Sequence, residues 1–405
     1  MKIAIFTMGT RGDIQPYIYL ARKLNTRGHE TVIGTHPCWR KLVEDASVVF
    51  SPIGPDIDIE QEAASIRGKT SNTVLSMLKT MNFVFKIIEN SSKEIFEECK
   101  GKDLIIVSHS QMGATEAEAL GIPTVNVTIQ IEMIPQKTKP QTFLAREIGK
   151  IISMQICKPY NKIRKFYRLP KLRDSGNLLS GKVNLIPISQ YVKKGDPYWE
   201  AKNVLTGYWY ENDIDYIPDQ KIIDFCGSGD RPIILALGAM SFESSSESKK
   251  LDMFVKSFLK TGKRAIIQGF QKSMVDYELP VTMIFCSSVP HSWLFKQGYA
   301  VIHHCGFGTS SAAMIYGIPS IPIPHVLDQM GFARQMENLG VSTAPIQAKE
   351  LSIDRIVDAI HELDQKYDLI WNTVQTLSEK LKNENGLEKA AYEIEKQCDH
   401  VGRRI

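Results

Sequence analysis

The sequence predicts an α/β protein with two domains, each built on a parallel β-sheet. It opens with an apolar strand from Lys2 to Thr7, a glycine-bearing loop, a helix with one apolar face, and a second strand from Glu30 to Thr35. The same order of elements starts again at Ile233. The chain has 405 residues, of which 43% are hydrophobic, and a chain of this size can bury two cores.

Charge and cysteine content narrow the class of protein. The net charge is only +4, and the one basic block, residues 158–171, predicts either a solvated face or a patch for an anionic membrane. No nucleic-acid partner is expected. The seven cysteines form no C-x-x-C pair, and no apolar run approaches the roughly 18 residues of a membrane span. These features predict a cytoplasmic protein with reduced thiols, as a monomer or a homodimer.

Asp13 is the first candidate for catalysis. It follows the first predicted strand in the sequence GTRGD, residues 9–13, at the strand end where open parallel sheets bind their ligands. A carboxylate there either accepts the proton of an alcohol nucleophile or caps the following helix. A dinucleotide site is not expected, because the loop lacks G-x-G-x-x-G and the second strand ends in Thr35-His36 without a ribose-binding acid.

Large flexible apolar residues are frequent between residues 57 and 100, where the pattern is mostly helical. Met77, Met81 and Phe85 are either core residues or the wall of a pocket for a hydrophobic ligand. A strand over residues 103–108 then ends at His109. That histidine is either a ligand contact or an ordinary hydrogen-bonded side chain.

The segment from Ala300 to Phe332 predicts an anion site. A short strand, two histidines and a glycine-bearing loop lead into a helix that opens with Thr309. Such a helix presents unpaired N–H groups and a positive dipole end, which favour phosphate. Twenty residues after Gly308, Asp328-Gln329 offers a carboxylate and an amide to sugar hydroxyls. The segment therefore suggests a nucleotide-sugar site.

The two histidines of this segment are assigned different tasks. Neighbouring side chains at a strand end point in opposite directions, so one of the two histidines is expected to face the interior. We assign His303 to packing and His304 to a hydrogen bond with a diphosphate. Cys305 follows them, but a nucleophilic thiol is the less favoured interpretation. No pair of carboxylates is placed to hold a cation, so no metal site is predicted.

These residues resemble the motifs of inverting nucleotide-sugar glycosyltransferases with the GT-B fold. The version here is most similar to bacterial macrolide and glycopeptide glycosyltransferases and to sterol glucosyltransferases. The resemblance rests on HHCGFGT at residues 303–309, on Asp328-Gln329, on PHSWLF at 290–295 and on GTRGD at 9–13. It implies two Rossmann-like parallel-sheet domains that face a cleft, with a C-terminal helix that crosses back to the N-terminal domain.

The resemblance also implies a reaction. Asp13 would deprotonate the acceptor hydroxyl in a single in-line displacement with inversion, with neither a metal nor another cofactor. The donor is expected to be UDP-glucose, with a thymidine-linked sugar as the alternative, and the acceptor a hydrophobic small molecule or a lipid such as a sterol, terpenoid, macrolide or polyphenol. A lipid acceptor would favour weak association with a membrane surface.

The residue roles follow from the same resemblance. Acceptor contacts are expected from Met77, Met81, Phe85 and His109. Trp293 is alternatively a core anchor of its own helix, and Gly238-Ala239 stands where relatives usually have Gly-Ser. The expected donor-binding residues are Thr10, Arg11, Gly12, Gly238, Val289, His291, Trp293, His304, Gly306, Phe307, Gly308, Thr309, Asp328 and Gln329.

Domain boundaries follow from composition. Residues 211–231 are polar and acidic, with Pro218 and Gly227, and are predicted to link an N-terminal acceptor-binding domain (1–210) to a C-terminal donor-binding domain (232–386). Residues 387–405 are the predicted returning helix. Two other functions stay open at this point: a nucleotide-sugar epimerase on the same fold, and a non-catalytic protein that binds nucleotide-sugars.

Overall fold

The computed structural model describes residues 1–57, 62, 73–129, 134, 143–179, 181–197, 199–211, 216–238, 247–275, 277–287 and 289–399. Within helices it leaves out the side chains of residues 73–78, 143–146, 148, 272, 327–328 and 398–399. The chain forms two units, Met1–Tyr210 with Glu384–Ile405, and Glu211–Asn383. Each described unit is built on a parallel sheet with helices on its faces, which confirms the predicted fold class.

The first unit contains, over its described residues, a seven-stranded parallel sheet in the order β3-β2-β1-β4-β5-β6-β7. The strand order reverses beside β1, since β2 and β3 lie on one side of it and β4 on the other. Ligands of open parallel sheets bind at the carboxyl ends of strands at such a point. The strands are β1 Lys2–Phe6, β2 Glu30–Thr35, β3 Val49–Pro52, β4 Leu104–Val107, β5 Thr124–Val127, β6 Val183–Ile186 and β7 Asn203–Leu205; the helices are α1 Arg11–Thr26, α2 Arg40–Asp45, α3 Thr73–Cys99, α4 Ala114–Leu120 and α5 Phe143–Phe166.

The second unit contains, in the part of it that is described, a five-stranded parallel sheet in the order β10-β9-β8-β11-β12. Its order reverses between β8 and β11, where Ala236 is paired with His303. The strands are β8 Ile233–Ala236, β9 Ala265–Gln268, β10 Met283–Cys286, β11 Ala300–His303 and β12 Ser320–Pro322; the helices are α6 Gln220–Gly227, α7 Glu247–Thr261, α8 Gln271–Met274, α9 His291–Gln297, α10 Phe307–Tyr316, α11 Leu327–Asn338, α12 Ile353–Gln365 and α13 Tyr367–Asn383.

The last helix, α14 Gly386–Asp399, belongs to the first unit. Its apolar residues Leu387, Ala390 and Ile394 share a buried core with α1 and with the β1 side chains Ile3 and Ile5. Arg27 of α1 also forms ion pairs with two carboxylates of α14, Glu388 at 2.9 Å and Glu395 at 2.6 Å. The C-terminal helix therefore packs on the N-terminal unit, as the sequence predicted.

The central strands β1, β4 and β8 are almost entirely apolar and buried because both faces of each sheet are covered there. In β1, Ile3 and Ile5 face α1 and α14, whereas Ala4 and Phe6 lie in the cluster formed with α3 and β4. This is the usual pattern of a parallel sheet covered on both faces. Among the helices in the described part of the chain, none combines the length and the apolarity that crossing a bilayer requires.

Candidate functional site

Asp13 lies at the carboxyl end of β1, in the first turn of α1. Its Oδ2 accepts a hydrogen bond from the Thr10 backbone N–H at 2.8 Å and another from the Thr10 hydroxyl at 3.0 Å. Among the described residues no donor reaches its Oδ1. The carboxylate is therefore fixed by the helix start through one oxygen, so the capping and catalytic interpretations of Asp13 are compatible.

Gly9 makes room for this carboxylate. It has a φ of 134°, and a Cβ at this position would lie 2.3 Å from Asp13 Oδ2. Its carbonyl accepts a hydrogen bond from the indole N–H of Trp39 at 3.1 Å, which holds the loop in place. A residue larger than glycine would displace the carboxylate as well as strain the backbone.

The neighbouring strand β4 brings a second loop to the same edge of the sheet. Tyr17 of α1 is 1% exposed, and burial, followed by the negative charge of Asp13, raises the pKa of its phenol well above the ordinary value. Ser108 lies beside the Tyr17 hydroxyl, yet no hydrogen bond of normal geometry joins them. The Tyr17 hydroxyl thus marks the place where the loops after β1 and β4 meet.

The loop after β4 presents buried polar atoms without partners. Gln111 has a φ of 55°, and its side-chain amide donates to the Ser108 carbonyl at 3.0 Å, while its Oε1 is buried and unpaired. The Nδ1 of the half-buried His109 is unpaired as well. A strained glutamine that keeps an unused acceptor is typical of a ligand site, and the sequence analysis did not identify it.

The predicted acceptor wall on α3 is described in part. The Phe85 ring meets the Tyr160 ring of α5 edge to face at 5.6 Å, and it packs against the apolar cluster on that face of the sheet. Met81 is half-buried, and the Met77 side chain lies outside the described residues. The acceptor roles of these residues and of His109 stay predictions.

In the second unit, His304 lies between two glycines at the carboxyl end of β11. A Cβ on Gly238 would lie 2.7 Å from His304 Cε1, and a Cβ on Gly306 would lie 2.5 Å from His304 Nε2. Burial lowers the pKa of His304 to about 4, and the nearby Ala236 carbonyl partly offsets this effect without forming a hydrogen bond of normal geometry. The imidazole is therefore neutral at pH 7, and its Nδ1 is buried without a partner.

His303 faces the interior, as it was assigned from the sequence. It is 0% exposed, and its Nδ1 accepts a hydrogen bond from the Cys305 N–H at 3.1 Å. The ring proton must then lie on Nε2, which has no partner. Burial, with smaller contributions from His304 and His291, lowers the pKa of His303 to about 3. Cys305 is itself buried, and burial raises the pKa of its thiol, which disfavours a thiolate nucleophile.

Helix α10 begins directly after these histidines. Gly306 is its N-terminal capping residue, and the first N–H bonded inside the helix is that of Ser310, which donates to the Gly306 carbonyl at 2.9 Å. The N–H groups of Gly308 and Thr309 therefore have no partner within the helix. Thr309 is 9% exposed, and the Ser310 hydroxyl is buried and unpaired. Gly317, with a φ of 70°, ends the helix where the sequence predicted.

His325, at the end of the loop after β12, adds a further imidazole to this region. Both of its ring nitrogens are buried and unpaired. Burial, followed by the positive charge of Lys250 and the proximity of His304, lowers the pKa of His325 to about 4. Lys250, in the first turns of α7, thus lies near His325, and no motif in the sequence identified it.

Gln329 has a local task that the prediction did not anticipate. Its side-chain oxygen accepts hydrogen bonds from the backbone N–H groups of His325 at 2.8 Å and Val326 at 3.3 Å, at the start of α11. The amide nitrogen is the part of this side chain that remains to donate to a sugar hydroxyl. Asp328 lies in the same first turn, but its side chain is outside the described residues.

The region predicted to bind the nucleobase surrounds the start of α9. The Val289 carbonyl accepts a hydrogen bond from the Gln268 side chain at 2.9 Å, and the His291 ring stacks on Phe295 at 4.4 Å. Trp293 is half-buried, with its ring 6.1 Å from that of Tyr216. This packing is compatible with a core anchor and with a flat side chain beside a base.

The predicted donor-binding residues thus fall into two groups, one in each unit. Thr10, Arg11 and Gly12 start helix α1 of the first unit, and Arg11 is exposed beside Gln15 at 3.4 Å. The remaining members lie in the second unit, where the Phe307 ring meets Phe332 at 6.0 Å. The turn after Gly238 lies outside the described residues. The described residues contain no group of three or more histidine, cysteine, aspartate or glutamate side chains placed to hold a metal ion.

Comparison with known proteins gives a match in each unit. Residues 3–130 match the glycosyltransferase family 28 N-terminal domain, and residues 266–401 match the erythromycin biosynthesis protein CIII-like C-terminal domain. A sterol 3-beta-glucosyltransferase of Candida albicans is 28% identical over 98% of this chain, which spans 28% of that protein's length. A sterol 3-beta-glucosyltransferase of Arabidopsis thaliana is 26% identical over 100% of this chain, which spans 67% of its length.

Solved structures resemble the whole chain. The glycotransferase of kitacinnamycin has a TM-score of 0.76 and 16% identity, over 98% of each chain. The glycosyltransferase SnogD from Streptomyces nogalater has a TM-score of 0.71 and 17% identity, over 97% of this chain and 99% of its own. At these sequence identities, the structural similarity shows only that the fold is shared.

Proposed function

We propose that this chain, which has the GT-B fold and carries two glycosyltransferase domains, transfers a hexose from a nucleotide-sugar to a hydroxyl of a hydrophobic acceptor. The observation that carries this proposal is the position of His304. Its imidazole is held between Gly238 and Gly306 at the start of α10, with a buried nitrogen that has no partner. An anion at this helix start would receive the hydrogen bonds that the structure leaves unmade.

The second unit supplies the donor site. The N–H groups of Gly308 and Thr309 and the His304 ring bind the diphosphate, and the positive end of the helix dipole stabilises its charge as it leaves. Glucose linked to uridine diphosphate is the first choice of donor. The sterol 3-beta-glucosyltransferases that match this chain support glucose as the sugar. The nucleotide-sugar is a substrate, so no resident cofactor is proposed.

The first unit supplies the base. Asp13 accepts the proton of the acceptor hydroxyl through Oδ1, while Thr10 holds Oδ2. The acceptor oxygen forms a bond to the anomeric carbon as the bond from that carbon to the diphosphate oxygen breaks. One proton moves to Asp13, and the diphosphate leaves with the electron pair. A positioned base of this kind contributes about 10²- to 10⁴-fold to the rate.

The acceptor is a hydrophobic small molecule or a lipid. The Phe85 ring and the loop after β4 carry this part of the proposal, because Tyr160 contacts both of them. The loop also presents unpaired polar atoms near Asp13. The names of the matched sterol 3-beta-glucosyltransferases support a sterol-like acceptor. We also propose a cytoplasmic enzyme, monomeric or homodimeric, that associates weakly with a membrane surface.

A transfer assay tests the proposal. Purified protein is incubated with UDP-glucose, thymidine diphosphate glucose or other nucleotide-sugars, and with a panel of sterols, terpenoids, macrolides and flavonoids. Mass spectrometry is expected to find an acceptor that gains one hexose, with stoichiometric release of the nucleoside diphosphate. Conversion of the donor to another sugar or to free sugar without any acceptor would contradict the proposal and favour an epimerase. Nucleotide-sugar binding without turnover on any acceptor would favour a non-catalytic protein.

A further inference from the structure

Helix α5 exposes apolar side chains on the surface of the first unit. Ile151, Ile152 and Met154 are 56%, 54% and 57% exposed, and Phe166 at the end of the helix is 63% exposed. Three large apolar residues within four positions of one helix are an unusual cost on a surface that faces only water. The described part of α5 therefore carries an exposed apolar patch, which indicates a binding surface.

Lysines continue the same helix face toward its C-terminal end. Lys158, Lys162 and Lys165 are exposed, and their spacing of four and three residues places them on one side of the helix. The neighbouring helix α3 adds the exposed Lys86 and Lys93, and the Lys93 ammonium lies 5.8 Å from the Phe166 ring centre. We call the exposed side of α5 the α5 outer face; it consists of Ile151, Ile152, Met154, Lys158, Lys162, Lys165 and Phe166.

Acidic side chains reduce the positive charge of this face only in part. Glu89 of α3 lies 3.0 Å from Lys162, and Glu147 of α5 lies 2.7 Å from Lys150. Both pairs are solvent-exposed, so they contribute little energy and leave the lysines available to a stronger anionic partner. The one arginine among the described α5 side chains, Arg164, is 6% exposed and is paired with Glu118 of α4 at 2.6 Å. The outer face is therefore apolar at one end and lysine-rich at the other.

The inner side of α5 contacts the region that surrounds the predicted acceptor site. The Tyr160 hydroxyl donates to the Ser110 carbonyl at 2.7 Å, in the loop after β4, and the Tyr160 ring meets Phe85. Cys157 and Ile163 are also buried on this side. A single helix thus joins an apolar, basic surface to the loop that carries His109 and Gln111.

We infer that the α5 outer face docks the protein on a bilayer that contains anionic lipid. Apolar side chains of an interfacial helix enter the headgroup boundary, and nearby lysines bind the negative surface. Lysine is depleted at protein–protein interfaces, where arginine and aromatic residues are enriched, so a face with three lysines and no arginine favours a lipid surface over a protein. The use of this docking to reach a lipid acceptor rests on the proposed function, but the docking itself does not.

Vesicle binding tests this inference on the full chain. Wild-type protein is mixed with phosphatidylcholine vesicles, with or without about 30 mol% phosphatidylserine to make the surface strongly negative. The bound fraction is measured by flotation. Two triple variants divide the face: Ile151→Ser with Ile152→Ser and Met154→Ser, and Lys158→Glu with Lys162→Glu and Lys165→Glu. Each is expected to lower the partition coefficient on anionic vesicles at least tenfold. For the lysine variant, this follows from a loss of ~5-fold for each surface lysine.

A matched control lies in the second unit. Leu259 of α7 is 54% exposed, close to the value for Ile152, and Lys256 is exposed on the same helix. The double variant Lys256→Glu with Leu259→Ser is expected to bind anionic vesicles as the wild type does. Circular dichroism and thermal unfolding of every variant check that the fold is intact.

The outcomes separate docking from catalysis. Binding of both triple variants at the wild-type level, or no wild-type binding to anionic vesicles, would overturn the inference. A wild-type dimer that the apolar triple variant converts to a monomer, with no change in vesicle binding, would overturn it in favour of a second copy of the chain. If vesicle binding follows the inference while no acceptor is glycosylated, the docking stands and the proposed function fails. If both hold, the triple variants should lose transfer to a vesicle-embedded acceptor and keep transfer to a water-soluble one.

Discussion

Polar side chains lie at the carboxyl ends of both sheets, and they differ in whether they have hydrogen-bond partners. In the first unit, Asp13 is tied to the start of its own helix by two hydrogen bonds from Thr10. In the second unit, His304 and His325 have ring nitrogens that are buried and unpaired. The Asp13 carboxylate is therefore bonded internally, whereas the two imidazoles are left without partners.

The difference indicates when each site acquires its geometry. The Asp13 carboxylate is in position before any ligand arrives, whereas under the proposed function the imidazoles are expected to gain partners when a diphosphate binds. A buried polar group without a partner costs about 1–3 kcal/mol of stability, so two such residues in one loop region are costly unless they bind something. The second unit is thus expected to become more stable when nucleotide binds, and the first unit to change little.

The largest expected effect is that of Asp13→Asn. The amide oxygen of asparagine can still accept the Thr10 hydrogen bonds, so the loop should keep its shape, but the side chain can no longer take a proton. We expect kcat to fall at least about 100-fold, with an unchanged dissociation constant for the nucleotide-sugar. Steady-state kinetics and calorimetric titration measure the two quantities. Wild-type turnover in this variant would remove Asp13 as the base.

Gly306→Ala tests the role of His304 by adding a single methyl group beside its ring. Gly306 has a φ of −63°, which alanine adopts without strain, but the new Cβ would lie 2.5 Å from His304 Nε2 and displace the ring. Loss of a hydrogen bond to a charged group predicts about 10- to 100-fold weaker binding of UDP, measured by calorimetry.

Gly227→Ala is the control for that variant. Gly227 ends α6 in the same unit, and nothing lies within 4 Å of a Cβ placed on it. UDP binding by this variant should match the wild type. Equal affinity of the Gly306 and Gly227 variants would contradict the role of His304.

A smaller effect is expected from His325→Phe. Because burial lowers the pKa values of His304 and His325 to about 4, both rings are neutral at pH 7, and a bound diphosphate should raise their pKa values. Binding then takes up protons, and UDP affinity rises as the pH falls from 7 toward the pKa of the free rings. The variant should bind UDP about fivefold more weakly at pH 6 and take up fewer protons. Calorimetry in two buffers of different ionisation enthalpy measures the uptake; equal uptake by wild type and variant would show that His325 does not contact the anion.

The smallest effect concerns the first unit, where ion pairs join α14 to α1. Hydrogen bonds from Arg27, and then from His29, lower the pKa of Glu395 to about 2. Because the folded pKa lies below that of the unfolded chain, this carboxylate stabilises the fold above the unfolded value, and the contribution disappears as the pH falls toward 2. Glu395→Gln should lower the free energy of unfolding by about 1 kcal/mol at pH 7 and by less at pH 3. Denaturant unfolding at the two pH values measures this, and an equal loss at both would contradict the assignment.

Local patterns made most of the fold and the glycine-bearing turns predictable. The two sheets follow from strand and helix periodicity, and the end of α10 follows from Gly317, whose backbone is left-handed. Gln329 shows the limit of the same reasoning. Its spacing from Gly308 suggested a sugar contact, but the third position of a helix also favours a side chain that reaches back to the capping residue, and its oxygen does so.

The contacts that the sequence analysis missed join residues that are far apart along the chain. Tyr17 meets Ser108 because β1 pairs with β4, and His325 meets Lys250 because α7 and the loop after β12 reach the same sheet edge. Periodicity does not encode such pairings. The exposed apolar side chains of α5 were also missed, since only the packing of α5 shows which of its faces is left uncovered.

The anomeric configuration of the product tests the central claim most directly. If Asp13 activates the acceptor for one in-line displacement while the α10 start holds the departing diphosphate, a donor with an α-linked glucose must give a β-glucoside. Proton NMR of the isolated product distinguishes the two anomers by the coupling of the anomeric hydrogen. A β-glucoside is the predicted result, and an α-glucoside would contradict a single displacement assisted by Asp13.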